Sequence, residues 1–213
     1  MFTRRASLPL VAVLFAAGCT TAATPGGTAP TRADLSGQSL WHVIDKDGGT
    51  LTQLPDDDAT VTAVRRTVVL HSGVVDNRDH RTIEESAAQE FTFYDKGFAG
   101  KLRSQQYEKK LAELFTGNAL ATRQTGVAWY KSTFPRDMTT AKVEMDTVIT
   151  FTAADRNFLD SHKFALGKPY TQHRTVNLAK IAGKWTIVAI QKGPLAPQDG
   201  APGGSGGRTG GLS

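Results

Sequence analysis

Cysteine is all but missing: Cys19 is the one thiol among 213 residues. With that residue committed elsewhere, nothing remains for a disulfide, a thiolate nucleophile or a zinc–sulfur site, so packing alone must hold the fold. Histidine is scarce too. His42, His71, His80, His162 and His173 form no His-x-x-x-His pair of the helical zinc type. Beyond the first 18 residues no apolar run approaches the roughly twenty needed to span a membrane as a helix. Gly-x-Ser-x-Gly does not occur, and Gly203-Gly204-Ser205-Gly206-Gly207 follows no strand and opens no helix, as a phosphate loop would. The formal charge of +5 includes Arg4 and Arg5 of the leader. That excess is too small to point to nucleic acid.

What is present begins with the leader. Met1-Phe2-Thr3-Arg4-Arg5 is a positive head, Leu8 to Phe15 an apolar stretch, and Ala16-Ala17-Gly18 a run of small residues just before Cys19. The stretch is too short to span a bilayer and has the layout of an export signal. It resembles a bacterial lipobox, which implies cleavage before Cys19, lipidation there, and anchoring on the extracytoplasmic face of the cell membrane. Two or more acyl chains make such an anchor stable. Thr3-Arg4-Arg5 also resembles part of a twin-arginine signal, although Ser7 stands where that signal carries a bulky apolar residue, so two export routes stay open.

The expected organisation is a signal peptide over 1–18, a flexible tether over 19–38, one domain over 39–195 with an extension at 39–56, and a disordered glycine-rich tail over 196–213. Leu40 to Ile44 reads as a strand, turned back by Asp47-Gly48-Gly49. Asp56-Asp57-Asp58 can cap a helix from Ala59. Its β-branched residues favour a strand by propensity, but Val61, Val64 and Val68 recur at helical spacing, and helix is the reading taken. Thr82 and Glu85 have capping-box spacing, which predicts a helix over 83–96 carrying Ile83, Ala87, Phe91 and Tyr94, with Gly97 at its C-terminal cap. Tyr107, Leu111, Leu114 and Phe115 predict a second stripe. Asn118 can cap a third helix with Ala119, Leu120, Val127 and Tyr130. The rest reads as strands: an alternating run from Ala141 to Phe151, another over 170–181, and a hairpin through Ala182-Gly183-Lys184 into Trp185 to Ile190. Helices followed by a meander is an α+β order, with helices on one face of an antiparallel sheet.

Tyr94-Asp95-Lys96-Gly97, Leu114-Phe115-Thr116-Gly117-Asn118-Ala119 and Gly183-Lys184-Trp185-Thr186-Ile187, in that order, resemble the NTF2-like, cone-shaped α+β superfamily over about residues 57–192. Small actinobacterial lipoproteins and Mce-associated proteins are similar. The resemblance implies N-terminal helices packed on a curved antiparallel sheet, with a cone whose mouth can take a small apolar ligand. It leaves function open among binding modules, dimerisation or docking modules, and isomerases or lyases of the ketosteroid-isomerase-like type.

Four aromatics are candidates for lining such a cone: Phe91, Phe98, Trp129 and Trp185. Asp95, Asp146 and Tyr130 are the residues an isomerase would draw on for base and oxyanion site, and no family motif fixes any of them as catalytic. Asp76-Asn77-Arg78-Asp79-His80 and Asp45-Lys46-Asp47-Gly48-Gly49 are oxygen-rich but lack calcium-loop spacing, so both read as solvated turns and no metal or cofactor is expected. Lys101, Arg103, Lys109, Lys110, Arg123 and Lys131 make the helical half basic, a solvated face that could also meet anionic headgroups. The preferred expectation is a lipid-anchored extracytoplasmic accessory or small-ligand-binding module without catalysis. Its partners would be the membrane through the lipid on Cys19, a small apolar ligand or an envelope protein, and not nucleic acid.

Overall fold

The computed structural model describes residues 39–198. The leader, Cys19, the tether to residue 38 and the tail from residue 199 lie outside the described residues. The chain opens with a hairpin, β1 (Trp41–Ile44) and β2 (Thr50–Leu54). Asp45 closes its turn, Oδ1 accepting from the Asp47 and Gly49 amides at 2.9 and 2.7 Å, while Gly48 takes φ +84°. Helix α1 (Ala59–Asp76) follows, capped as expected: Asp58 accepts from the Thr60 and Val61 amides, and Val61, Val64 and Val68 face inward. Spacing therefore overrides β-branched propensity here, because a buried stripe outweighs a few tenths of a kcal/mol per residue.

The expected helix over 83–96 is shorter. Helix α2 (Ile83–Phe91) ends early, and α3 (Lys96–Ser104) begins anew with Asp95 as its N-cap, so Gly97 lies in a first turn rather than at a C-terminus. The break has a tertiary cause. Strand β7 (Lys184–Pro197) pairs with the chain there, the Ile187 amide donating to Phe93 O and the Asp95 amide to Ile187 O. The capping box does not form either, since Thr82 makes no side-chain capping bond. Helix α4 (Tyr107–Gly117) matches its stripe.

The expected third helix is instead strand β3 (Ala121–Trp129), and Asn118 ends α4. Local spacing lost to a partner: β5 (Thr140–Ala153) offers an edge along which β3 pairs from Ala121 to Trp129, with a register shift at Gln124/Gly126. Strand β4 (Ser132–Pro135), helix α5 (Arg156–His162, not expected from sequence) and strand β6 (Pro169–Ile181) complete the set. Strand β7 continues to Pro197, past the boundary expected at 195.

The sheet has 7 strands in the order β2-β1-β4-β5-β6-β7, with β3 also on β5. It is mixed, not antiparallel, because β1 runs parallel to β4. Residues 39–56 thus extend the sheet edge. Helices cover one face, giving the expected α+β arrangement of helices followed by a meander. Two apolar clusters fill the interior, one around Trp41, Val64, Phe134, Met145 and Leu178, the other around Leu111, Phe115, Phe151, Phe158 and Tyr170.

Candidate functional site

Along β6 the inward phase reads Tyr170, Gln172, Arg174, Val176, Leu178. The first belongs to one apolar cluster and the last two to the other; between them lie two polar side chains. Helix α1 repeats this level by level, from Val68 through His71 and Ser72 to Asp76. The result is a buried polar belt. Arg174 donates to Asp76 from both terminal nitrogens, at 3.0 and 2.5 Å, a two-pronged ion pair with both members nearly inaccessible. Gln172 Oε1 accepts from Arg174, and Gln124 donates to Asp76 Oδ2 at 3.1 Å.

A second pair lies alongside. Arg78, just past the end of α1, pairs with Glu90 of α2, and its Nε donates to Ser86 Oγ at 3.2 Å. Glu90 also accepts from the hydroxyls of Tyr94 and Tyr107. Burial alone would raise the Glu90 carboxyl, yet Arg78, Lys192 and the Tyr94 hydroxyl together outweigh it and hold Glu90 below its ordinary value. Burial, with the carboxylate beside it, pushes the Tyr107 phenol up to about 12. His71 Nε2 lies 3.0 Å from Tyr94 Oη, and burial lowers the imidazole to about 3, so it is neutral. The segment Asp76–His80 is therefore no solvated turn: Asp76 and Arg78 are 2% and 4% exposed.

Against this belt opens a cavity of about 640 Å³, within the range of small-molecule sites. Its walls are Leu111, Leu114 and Phe115 of α4, Phe158 and His162 of α5, Ile149 and Phe151 of β5, Phe164, and Leu195 of β7. Its polar end is Asp76, Arg78, Gln172, Arg174, Tyr107 and Lys192.

Lys192 stands apart. Strand β7 shifts register against β6 at two places, so that Lys192 lies directly across from Arg174 and Leu195 across from Gln172. The shifts bring Ile187, Ile190, Lys192 and Leu195 opposite the inward residues of β6. Among the described residues no carboxylate lies within ion-pair distance of Lys192, whereas Arg174 has Asp76 and Arg78 has Glu90. Burial first, then repulsion from Arg174, lowers its amine to about 8.

The aromatics expected to line a cone lie elsewhere. Phe91 belongs to the first apolar cluster, and Phe98, Trp129 and Trp185 pack against it; none of the four borders the cavity. Their places are filled by neighbours: Trp129 lies 6.0 Å from Trp41, Trp185 6.2 Å from Phe134, and Phe98 4.8 Å from Tyr94. Arg103 covers Phe91 and Arg65 covers Trp129. Asp95 serves as the α3 cap. Asp146 and Tyr130 do come together, Tyr130 Oη 2.6 Å from Asp146 Oδ2 with His173 Nδ1 2.8 Å from Oδ1, but on the exposed outer face of the sheet. Of the cavity-lining carboxylates, Asp76 is taken by Arg174 and Glu113 is exposed. The missed residues had one signal in the sequence: Gln172 and Arg174 share the phase of Val176 and Leu178.

No family model and no curated protein matches the chain. Among solved structures it is similar to an IcmL-like type IV secretion system protein from Legionella pneumophila, at 9% identity over 68% of this chain and 98% of that one, with a TM-score of 0.46. VirB8 of Agrobacterium tumefaciens gives 9% identity, 69% and 100% coverage and a TM-score of 0.42. Aln2 from a Streptomyces species gives 10%, 66% and 93%, and 0.42. At these identities none is a guide to residues or activity here. No helix among the described residues is long and apolar enough to cross a membrane, and no three His, Cys, Asp or Glu gather there as a metal site.

Proposed function

We propose that this chain is a lipid-anchored extracytoplasmic accessory module that binds a small apolar ligand without transforming it. The observation that carries the reading is the 640 Å³ cavity, whose walls are almost wholly aliphatic and aromatic. A packed interior leaves few voids larger than a water molecule, so a space of this size is a binding site by default. Catalysis is disfavoured by geometry, because Asp95 and Asp146 lie away from the cavity and Asp76 is held by Arg174. The leader and Cys19 supply the anchor in this reading, keeping the module at the membrane face.

A docking role is favoured by one separate feature. Val69 and Leu70 of α1 are 44% and 51% exposed beside each other, a small apolar step that a partner could extend into the several-hundred-Å² patch typical of contact surfaces.

One experiment tests both halves of the main reading. Cys19→Ala in the full chain moves the protein from the membrane fraction to the soluble fraction. Native mass spectrometry of that soluble protein, made in its own host, then finds a small molecule that leaves on denaturation. A variant still pelleting with membranes would remove the anchor; a chain empty under every gentle condition would remove the ligand role.

A further inference from the structure

The cavity has one end unlike the rest, and its charges do not balance. Asp76 and Glu90 supply the carboxylates of the belt; Arg78, Arg174 and Lys192 supply the cations. The two guanidiniums are each committed to a carboxylate. Lys192 is left over, placed by the β7 register shift directly across the strand from Arg174. Like charges opposite one another in a sheet are destabilising, and an ammonium drawn partly out of water is more so without a counter-charge. The belt offers none at close range. Asp76 and Glu90 attract the ammonium only from beyond ion-pair distance, each already paired with a guanidinium. Tyr107 and Tyr94 donate their protons to Glu90, and His71 is neutral. Burial, with Arg174 across the strand, lowers the Lys192 amine more than the distant carboxylates raise it. Beyond it the walls run apolar through Leu111, Phe115, Phe151 and Phe164 towards exposed Glu113 and Pro194.

We propose that the ligand is an amphipathic monocarboxylic acid, its carboxylate bound by Lys192 at the polar end and its hydrocarbon tail lying along the aromatic and aliphatic walls. The inference rests on the cavity being a ligand site and adds the chemistry of the ligand. A single negative charge completes the balance of two carboxylates against three cations. A neutral lipid would leave Lys192 uncompensated, and a dianion would put the surplus on the other side. Because a hydrogen bond to a charged group in such a place strengthens binding about ten- to a hundredfold, Lys192 selects the acid over its neutral counterparts.

The test uses the full chain with Cys19→Ser and a fluorescent dansyl-undecanoic acid, compared with its methyl ester. Wild-type Lys192 is expected to bind the acid at least about tenfold more tightly than the ester. Lys192→Met is expected to lose that preference while keeping the ester affinity, and Lys192→Arg to restore most of it. Thermal melting checks that each variant folds; the Met variant, relieved of a cation facing Arg174, is expected to melt no lower than the parent without ligand. Equal binding of acid and ester by the parent, or an unchanged preference in Lys192→Met, would overturn the carboxylate assignment and leave the cavity reading standing. Failure of palmitate to displace the bound acid would likewise overturn only the carboxylate assignment, whereas failure of the parent to bind either probe would remove the cavity reading and this one with it.

Discussion

His71 is 2% exposed, with its Nε2 against the Tyr94 hydroxyl that in turn donates to Glu90. Burial lowers it from 6.5 to about 3, opposed in part by Glu90. The folded ring is neutral where the unfolded ring takes a proton, so the unfolded state binds more protons throughout that interval. Stability therefore falls as pH drops below 6.5, by up to about 1.4 kcal/mol per pH unit. Glu90, held down by Arg78, Lys192 and the Tyr94 hydroxyl together against the pull of burial, adds its own loss only as pH passes below its ordinary value of 4.5. The urea midpoint is expected to decline between pH 6.5 and 4.5, and His71→Gln to flatten that decline. Equal slopes in the two proteins would place the proton elsewhere. A lone histidine three residues beyond Val68 shows only that it faces inward. Its partners come from α2 and from the turn after it, separations that no local spacing encodes.

Elements divide by whether their own residues or a distant strand decided them. Helix α1 was legible because its valines repeat at helical spacing behind Asp58. Strands β5 to β7 were legible because alternation and the Ala182-Gly183 turn are local signals. Segment 92–95 was not, since β7 draws it into hydrogen bonding at Ile187, and residues 121–129 became a strand because β5 had an unfilled edge. The site was lost in the same way: Gln172 and Arg174 were on a readable phase, but Lys192 lies behind register shifts that only the pairing with β6 reveals. Asp95 gives the element-scale prediction. It accepts from the Gly97 and Phe98 amides, both at 2.9 Å, so Asp95→Ala is expected to lower stability by about 1 kcal/mol. Ligand retention should be unchanged in that variant. Loss of binding with no loss of stability would instead assign Asp95 to the site.

Across the whole molecule the belt separates a packed half from a hollow one. Leu178 is 1% exposed in the packed half, where Leu178→Ala is expected to cost about 2–5 kcal/mol. Leu195 borders the cavity and is only half-buried. Its truncation enlarges a space that already exists, so Leu195→Ala is expected to cost less than half as much while changing which ligands are retained. Chemical denaturation of the two variants side by side measures the difference, and equal losses would show the halves to be one cooperative core. Such a division bears on how a family of such chains diversifies. Selection can test one wall residue after another for a new tail shape without risking the fold, since the residues that keep the chain folded are not those that touch the ligand. Descendants would be expected to drift apart at Leu114, Phe164 and Leu195 while the valines of α1 hold still.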